Sequence, residues 1–271
     1  MTSKRILVVY KTSAYQSGLK HLRRSHDIHY RTLAVVEKTL KAIGFDFKRL
    51  PRGRKFQGRH YGLVLSVGGD GTFLDAARYL ETTPILGINS APGHSVGRFC
   101  SAHPADFEKT LDTFLRGKLK TRPIERMEVR VNGKAWRHPV LNEILVSHAV
   151  PAAMSRYHLT IGSQSEAQRS SGIWISTAAG STGAIKSSGG KVLPLFSKQF
   201  QYLPREIFEG HGARVRLRGG LLPAGHPTVT VRSQMREGRL YLDGAHQWLP
   251  FCYGDVLKIF PSKCPLRIVH P

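Results

Sequence analysis

Five residues, Gly68-Gly69-Asp70-Gly71-Thr72, follow directly on the apolar run Tyr61 to Val67 and lead into the helix-like stretch Phe73 to Leu80. A glycine-rich turn between an apolar strand and a helix brings backbone N–H groups up against phosphate. Glycine admits positive φ and leaves no side chain in the way of a phosphate oxygen. A carboxylate in that place would repel phosphate, so Asp70 points to a proton or a metal ion handled during phosphoryl transfer. The competing reading is a tight turn in which Asp70 caps the next helix.

A second constellation spans residues 169–190, from Arg169 through Ser171, Ile173-Trp174-Ile175 and Ser181-Thr182-Gly183-Ala184 to Lys186, Ser187 and Gly190. A short apolar strand there runs into small and hydroxylated residues. Such a stretch exposes N–H groups and hydroxyls suited to a nucleotide diphosphate or a ribose; its bland alternative is a flexible Gly/Ser loop. The dipeptide Asn142-Glu143 opens another apolar run. An amide oxygen beside a carboxylate offers two acceptors to the two hydroxyls of a ribose.

The elements that must position these residues divide near Pro123. Before it, strand-like runs (5–10, 46–50, 61–67, 84–88) alternate with helical patterns at 27–44, 73–80 and 104–115, the pattern of an α/β layer with a mainly parallel sheet. After it come short strands: 126–131, the hairpin turn Asn132-Gly133, 134–139, 141–147, 157–161, 172–176, 213–217, 228–231 and 239–242. The expected organisation is an α/β domain over 1–122, a mostly-β, sandwich-like domain over 123–250, and a segment 251–271 that returns to the first domain. Trp136, Trp174 and Trp248 read as core residues.

Composition narrows the function. With 271 residues and 41% hydrophobic content the chain can build an ordinary core. No apolar stretch is long enough to span a bilayer, and no signal peptide precedes the first strand, so a membrane is not an expected partner. Cys100, Cys252 and Cys264 are widely spaced and odd in number, which argues for a reducing cytoplasm. The formal charge of +23 implies anionic partners. The basic residues are spread along the chain, and there is neither zinc-finger spacing nor an RNP-like motif, so nucleic acid is not expected. No P-loop lysine motif or GxSxG elbow occurs, and the thirteen histidines form no HExxH or close His/Cys cluster.

Taken in order, Gly68 to Thr72, Pro84-Ile-Leu-Gly-Ile-Asn89, Asn142-Glu143, Ala179 to Gly190 and the late Asp243-Gly244 turn resemble the NAD kinase family, over about Ile6 to Val269. The resemblance implies a two-domain fold. It also implies transfer of the terminal phosphate of ATP, or of polyphosphate in some members, to the 2′-hydroxyl of the adenosine ribose of NAD. A divalent cation, usually Mg²⁺, is required, and members commonly form dimers or tetramers, so a homo-oligomer is expected. On the same footing Asp70 would take the proton from that hydroxyl, Gly68, Gly69, Gly71 and Thr72 would approach phosphate, Asn142 and Glu143 would hold a ribose, and Ser181 to Ser187 with Asp243 would line the dinucleotide site. No residue is assigned as a metal ligand.

The chain also departs from the family. Ser171 stands where many members have Asp, Gly183-Ala184 where they have Ala-Tyr, and Lys186 where they have Leu; the stretch Ser90 to Phe99 differs as well. Arg169 and Lys186 are expected to compensate by binding phosphate. Two other functions compete: a lipid or sugar kinase of the same superfamily, and a non-catalytic nucleotide- or nucleic-acid-binding protein. In lipid kinases the glycine motif is commonly followed by Asn-Glu, whereas here it is followed by Phe73-Leu74-Asp75. An intact Asp70 weighs against the non-catalytic reading, which needs no base.

Overall fold

The computed structural model describes residues 5–12, 23–210, 214–222 and 229–271. It divides into two compact units, one formed by Met1–Pro123 with Leu266–Pro271 and the other by Ile124–Pro265.

In the first unit the order is β1 (Ile6–Tyr10), α1 (Arg23–Ala42), β2 (Phe47–Pro51), β3 (Leu63–Gly68), α2 (Asp70–Ala77), β4 (Ile85–Asn89), β5 (Cys100–Ala102), α3 (Phe107–Leu115) and β6 (Thr121–Ile124). The second unit carries β7 (Met127–Val131), β8 (Lys134–Ala135), β9 (Glu143–His148), β10 (Ser155–Ile161), β11 (Gln164–Ser170), β12 (Ile173–Ser176), α4 (Ala184–Ser187), β13 (Phe200–Pro204), β14 (Gly220–Leu222), β15 (Val229–Ser233), β16 (Gly238–Leu242), β17 (Trp248–Pro250) and β18 (Val256–Pro261). Strand β19 (Leu266–Val269) belongs to the first unit.

Strands of the first unit form one sheet in the order β2-β1-β3-β4-β19-β6, with β5 also pairing β4. The pairings of β1, β2, β3, β4, β5 and β19 are parallel. Every residue of β3 is buried, as expected for a parallel strand covered on both faces. Leu33, Val36 and Leu40 of α1 and Phe107 and Leu111 of α3 pack with Ile6, Val8, Leu65, Val67, Leu86 and Ile88 in one core. Helix α1 starts four residues before the expected 27 and ends two before the expected 44, where Gly44 at φ 73° turns the chain and Phe45 N–H donates to Leu40 O at 3.0 Å.

Helix α2 corrects the expected span of 73–80. It begins at Asp70, because extended Gly69 (φ −115°, ψ −167°) offers its carbonyl to the N–H groups of Thr72 and Phe73. The glycine turn is thus the N-terminus of the helix itself.

The second unit is a pair of antiparallel six-stranded sheets, β11-β10-β15-β18-β7-β8 and β14-β13-β12-β9-β16-β17, whose inner faces share a single apolar core. Residues of β18 pair with β15 and β7, so 251–265 stay in this unit and only Leu266–Pro271 return to the first. The expected strand 134–139 shrinks to Lys134–Ala135. Of the strand expected over 213–217, Ala213 lies outside the described residues. The remainder is not a strand: the Glu166 carboxylate accepts the N–H groups of Arg216 and Leu217, at 3.0 and 2.9 Å, in place of a ladder. Thr228, expected to open β15, is likewise outside the described residues. Trp248 is not core. It is 48% exposed and lies under the Arg239 guanidinium, 4.4 Å from its ring centroid.

Candidate active site

In the first unit, Gly68, Gly69, Asp70, Gly71 and Thr72 all line one cavity of about 360 Å³, together with Lys11, Arg52, Ser90, His94 and Ser95. The turn is built for close approach. A Cβ on Gly68 would strike the Thr72 side chain, and one on Gly69 the Ser95 hydroxyl. Asp70 does not cap its helix; its Oδ1 accepts the N–H of Phe99 at 3.0 Å, which disposes of the capping reading. The neighbouring Arg98 is attracted to Asp70 while burial pulls its own pKa down, and burial together with the Asp70 charge pushes the Cys100 thiol up to about 12. Among the described residues that line this cavity, Asp70 is the one carboxylate.

The cavity wall is fastened from behind by α1. Buried His29 meets the Ser90 hydroxyl through Nδ1 at 2.9 Å, and the Thr32 hydroxyl donates to Ser90 O at 3.0 Å. Burial lowers the His29 pKa to about 4, so this imidazole is neutral at ordinary pH.

A cavity of about 500 Å³ opens in the second unit. Alternation along β9 puts Ile144 and Val146 in the core and Glu143, Leu145 and Ser147 on the cavity side. Trp174 of β12 and Tyr241 of β16 both stand directly opposite Leu145, so the three make one cross-strand row on the cavity floor. Arg205 also lines it, with its guanidinium 6.0 Å from the centroid of the Trp174 ring. Backbone bonds place Arg205 beside Ser171: Ser171 N–H donates to Arg205 O at 2.9 Å, and Arg205 N–H to Gly172 O at 2.7 Å.

Asn142 and Glu143 present two buried acceptors, Oδ1 and Oε2, that have no hydrogen-bond partner. Burial, helped by the charge of Asp243, pushes the Glu143 carboxyl up to about 7. An orphaned carboxyl beside an orphaned amide oxygen fits a ligand with adjacent hydroxyls. Asp243, in the left-handed region at φ 49°, takes the N–H groups of Leu141 and Asn142.

The second constellation is ordered rather than a flexible loop: a 3₁₀ turn over Ala179–Thr182 followed by α4. Of its expected residues, Ala184 and Ser171 line the cavity with Glu143. Gly183 lies next to it, since a Cβ there would come within 3.3 Å of Glu143 Oε2. Ser181 is fully buried and its hydroxyl is used internally, donating to Ala178 O at 2.7 Å and accepting from Leu193 N–H at 2.9 Å. Thr182, Lys186, Ser187 and Arg169 are exposed and do not line the cavity wall. Leu145, His148, Arg205 and Tyr241 carry no site signal in the sequence beyond the period-two alternation that links Leu145 to Glu143, and Trp174, expected in the core, is half-buried and lines the cavity because its strand position faces outward from the sheet pair, opposite Leu145.

Among the described residues no group of three or more His, Cys, Asp or Glu is placed to hold a metal ion. Isolated carboxylates of this kind fit a divalent cation carried in on nucleotide phosphates rather than one caged by the protein.

Residues 3–119 match the ATP-NAD kinase N-terminal domain. A probable NADH kinase of Oryza sativa subsp. japonica is 33% identical over 267 residues, covering 90% of this chain and 82% of the relative. The chain belongs to the NAD kinase family. An NADH kinase of Arabidopsis thaliana is 29% identical over 92% of this chain and 86% of its own length. The fold matches that of an NAD kinase from Archaeoglobus fulgidus solved in complex with ATP, with a TM-score of 0.74 at 24% identity over 98% of this chain and 93% of that one. Membership makes this protein a kinase, and the α/β unit followed by antiparallel sheets is the family's fold.

Proposed function

We infer that the protein transfers the terminal phosphate of ATP to the 2′-hydroxyl of the adenosine ribose of NAD, giving NADP. The observation that carries this reading is the placement of Asp70: a single carboxylate in a basic, glycine-walled cavity at a helix N-terminus. Phosphoryl transfer asks for positioning, charge neutralisation and one group to accept a proton. Asp70 accepts the proton of the 2′-hydroxyl, and the N–H groups of Gly69 to Gly71 face phosphate, that of Thr72 being taken by Gly69 O. Asn142 and Glu143 hold the ribose through their unpaired oxygens, and Asp243 aims them. The exposed Arg169 and Lys186 serve the dinucleotide's phosphates, so that Lys186→Ala raises KM for it. A divalent cation, Mg²⁺ on this reading, would come in on the phosphates of ATP and would supply charge neutralisation there.

A second acceptor, NADH, is favoured by Arg205. A fixed cation beside the Trp174 ring disfavours the positively charged nicotinamide of NAD relative to the neutral dihydronicotinamide. The naming of the two plant relatives as NADH kinases supports this.

Three cysteines, two of them exposed and none paired, suit the reducing cytoplasm proposed for the protein. No described helix is long and apolar enough to cross a membrane. Exposed Trp248 and Tyr253 support a homo-oligomer, which sedimentation would resolve.

The test is NADP formation from NAD, ATP and Mg²⁺, repeated with NADH. Asp70→Asn keeps an acceptor for Phe99 N–H and loses the base. Its turnover falls by a factor of about 10² to 10⁴. An Asp70→Asn enzyme as active as the parent removes the base from the mechanism.

A further inference from the structure

We propose that Arg52 is a binding residue for the polyphosphate chain of the donor, and that Asp75 is the positioning residue that holds it there. The proposal rests on the reading of ATP as donor and adds to it a cation from outside the glycine motif. Arg52 lies just past β2, in a stretch that reads from sequence as a plain basic loop, yet it lines the same cavity as Asp70. Its Nη1 would be 3.1 Å from a Cβ built on Gly71, so the guanidinium lies against the bare backbone of the turn. That glycine therefore serves two approaches, phosphate from the cavity and Arg52 from the side.

The loop is held from both ends of its turn. Arg52 N–H donates to Tyr10 O of β1 at 2.8 Å. The next N–H, that of Gly53 at φ 89°, donates to Asp75 Oδ2 at 2.8 Å. Asp75 sits on α2, the helix whose first turn is the glycine motif, and is itself fixed by Arg78 through its other oxygen at 3.4 Å. Its side chain is only 15% exposed. One helix thus carries the phosphate-facing turn and the latch for the cation beside that turn.

Arg52 has no acidic partner among the described residues; Asp75 binds the backbone next to it and leaves the guanidinium uncommitted. An arginine held by its own main chain, with its fork pointed into a cavity, is suited to bidentate phosphate recognition. Lys11, at the end of β1, adds a second positive charge to the same wall.

The probe is inorganic tripolyphosphate, which carries the phosphates without the nucleoside. The parent binds it by calorimetry. Arg52→Met, which keeps the stem and removes the charge at an exposed position, weakens that binding by about tenfold. In turnover the same variant raises KM for ATP by a similar factor and leaves KM for NAD where it was. Asp75→Ala reproduces the loss with Arg52 still present. Asp75→Asn, which keeps an oxygen for Gly53 N–H, recovers most of it, whereas a merely structural role for Asp75 would show as equal losses in both variants. Tripolyphosphate binding by Arg52→Met within twofold of the parent overturns the proposal, as does failure of the parent to bind it. If the parent binds tripolyphosphate and Arg52→Met loses it while no NADP forms, the proposal stands and the assignment of NAD as acceptor fails alone.

Discussion

The Asp243 carboxylate accepts the backbone N–H of Asn142 at 2.6 Å across 101 residues of sequence. A second bond runs to Leu141 N–H at 3.0 Å, and Asp243 N–H returns a bond to Glu143 O at 3.0 Å. The late Asp-Gly turn therefore orients the two acceptors of Asn142-Glu143 through their backbone. Asp243→Ala frees this corner, and KM for the dinucleotide rises by about tenfold, as expected for loss of charge-assisted bonds. Steady-state kinetics check this. An NMR titration of Glu143 checks it independently, because removing the Asp243 charge moves that carboxyl back down.

Glu143 also links stability to pH. Its ordinary value is 4.5, and burial first, then Asp243, pushes it to about 7 in the folded chain. The folded protein keeps a proton that the unfolded chain has lost. This contribution is whole below pH 4.5 and disappears as pH rises through 7. Between those limits the parent loses on the order of 3 kcal/mol relative to Glu143→Gln, which does not titrate. Denaturant unfolding of both proteins at a series of pH values reads the difference; parallel curves would count against the buried carboxyl.

Gly180 predicts a packing failure. A Cβ there would lie 2.6 Å from Asn142 C and 2.7 Å from Ser176 Oγ, and closer still to Asn142 O. Two of these atoms are backbone and cannot swing away. Gly180→Ala costs about 1–3 kcal/mol in urea unfolding, the range for overpacking. It also raises KM for the dinucleotide, because the strain falls on the peptide that carries the ribose acceptors.

On the proposed reading, the Trp174–Leu145–Tyr241 row of the cavity offers the dinucleotide a flat apolar face that Ala184 is too small to provide. Trp174→Ala weakens dinucleotide binding by about 1–3 kcal/mol, the range for loss of a base-stacking ring. Arg205→Gln shifts the ratio of kcat/KM values toward NAD at the expense of NADH. Equal changes for both acceptors would show that Arg205 meets a phosphate instead of a ring.

Much of this was legible in the residue order, and the reasons are local. Strands β1, β3 and β4 are apolar runs buried on both faces, and the glycine turn announces itself by composition. Strand β11, Gln164–Ser170, carries no strand signal: its sequence is polar but for Ala167, and only pairing with β10 along seven residues makes it a strand. The start of α2 was misplaced because glycine is a poor helix former, and here Gly71 is retained for approach, not propensity. The segment 214–217 looked like a strand, but Glu166 satisfies its N–H groups from the side. Arg52 could not be told from its basic neighbours, since what distinguishes it is Asp75, twenty-three residues on.

Strand β19 lies between β4 and β6 in the sheet of the first unit, yet the ribosome reaches it only after all of Ile124–Pro265 has been made. A growing chain therefore lacks the strand that joins β4 to β6 throughout synthesis of the second unit, and only β5 covers part of that edge of β4. The second unit can mature first, and the sheet that carries Gly68 to Thr72 is completed afterwards.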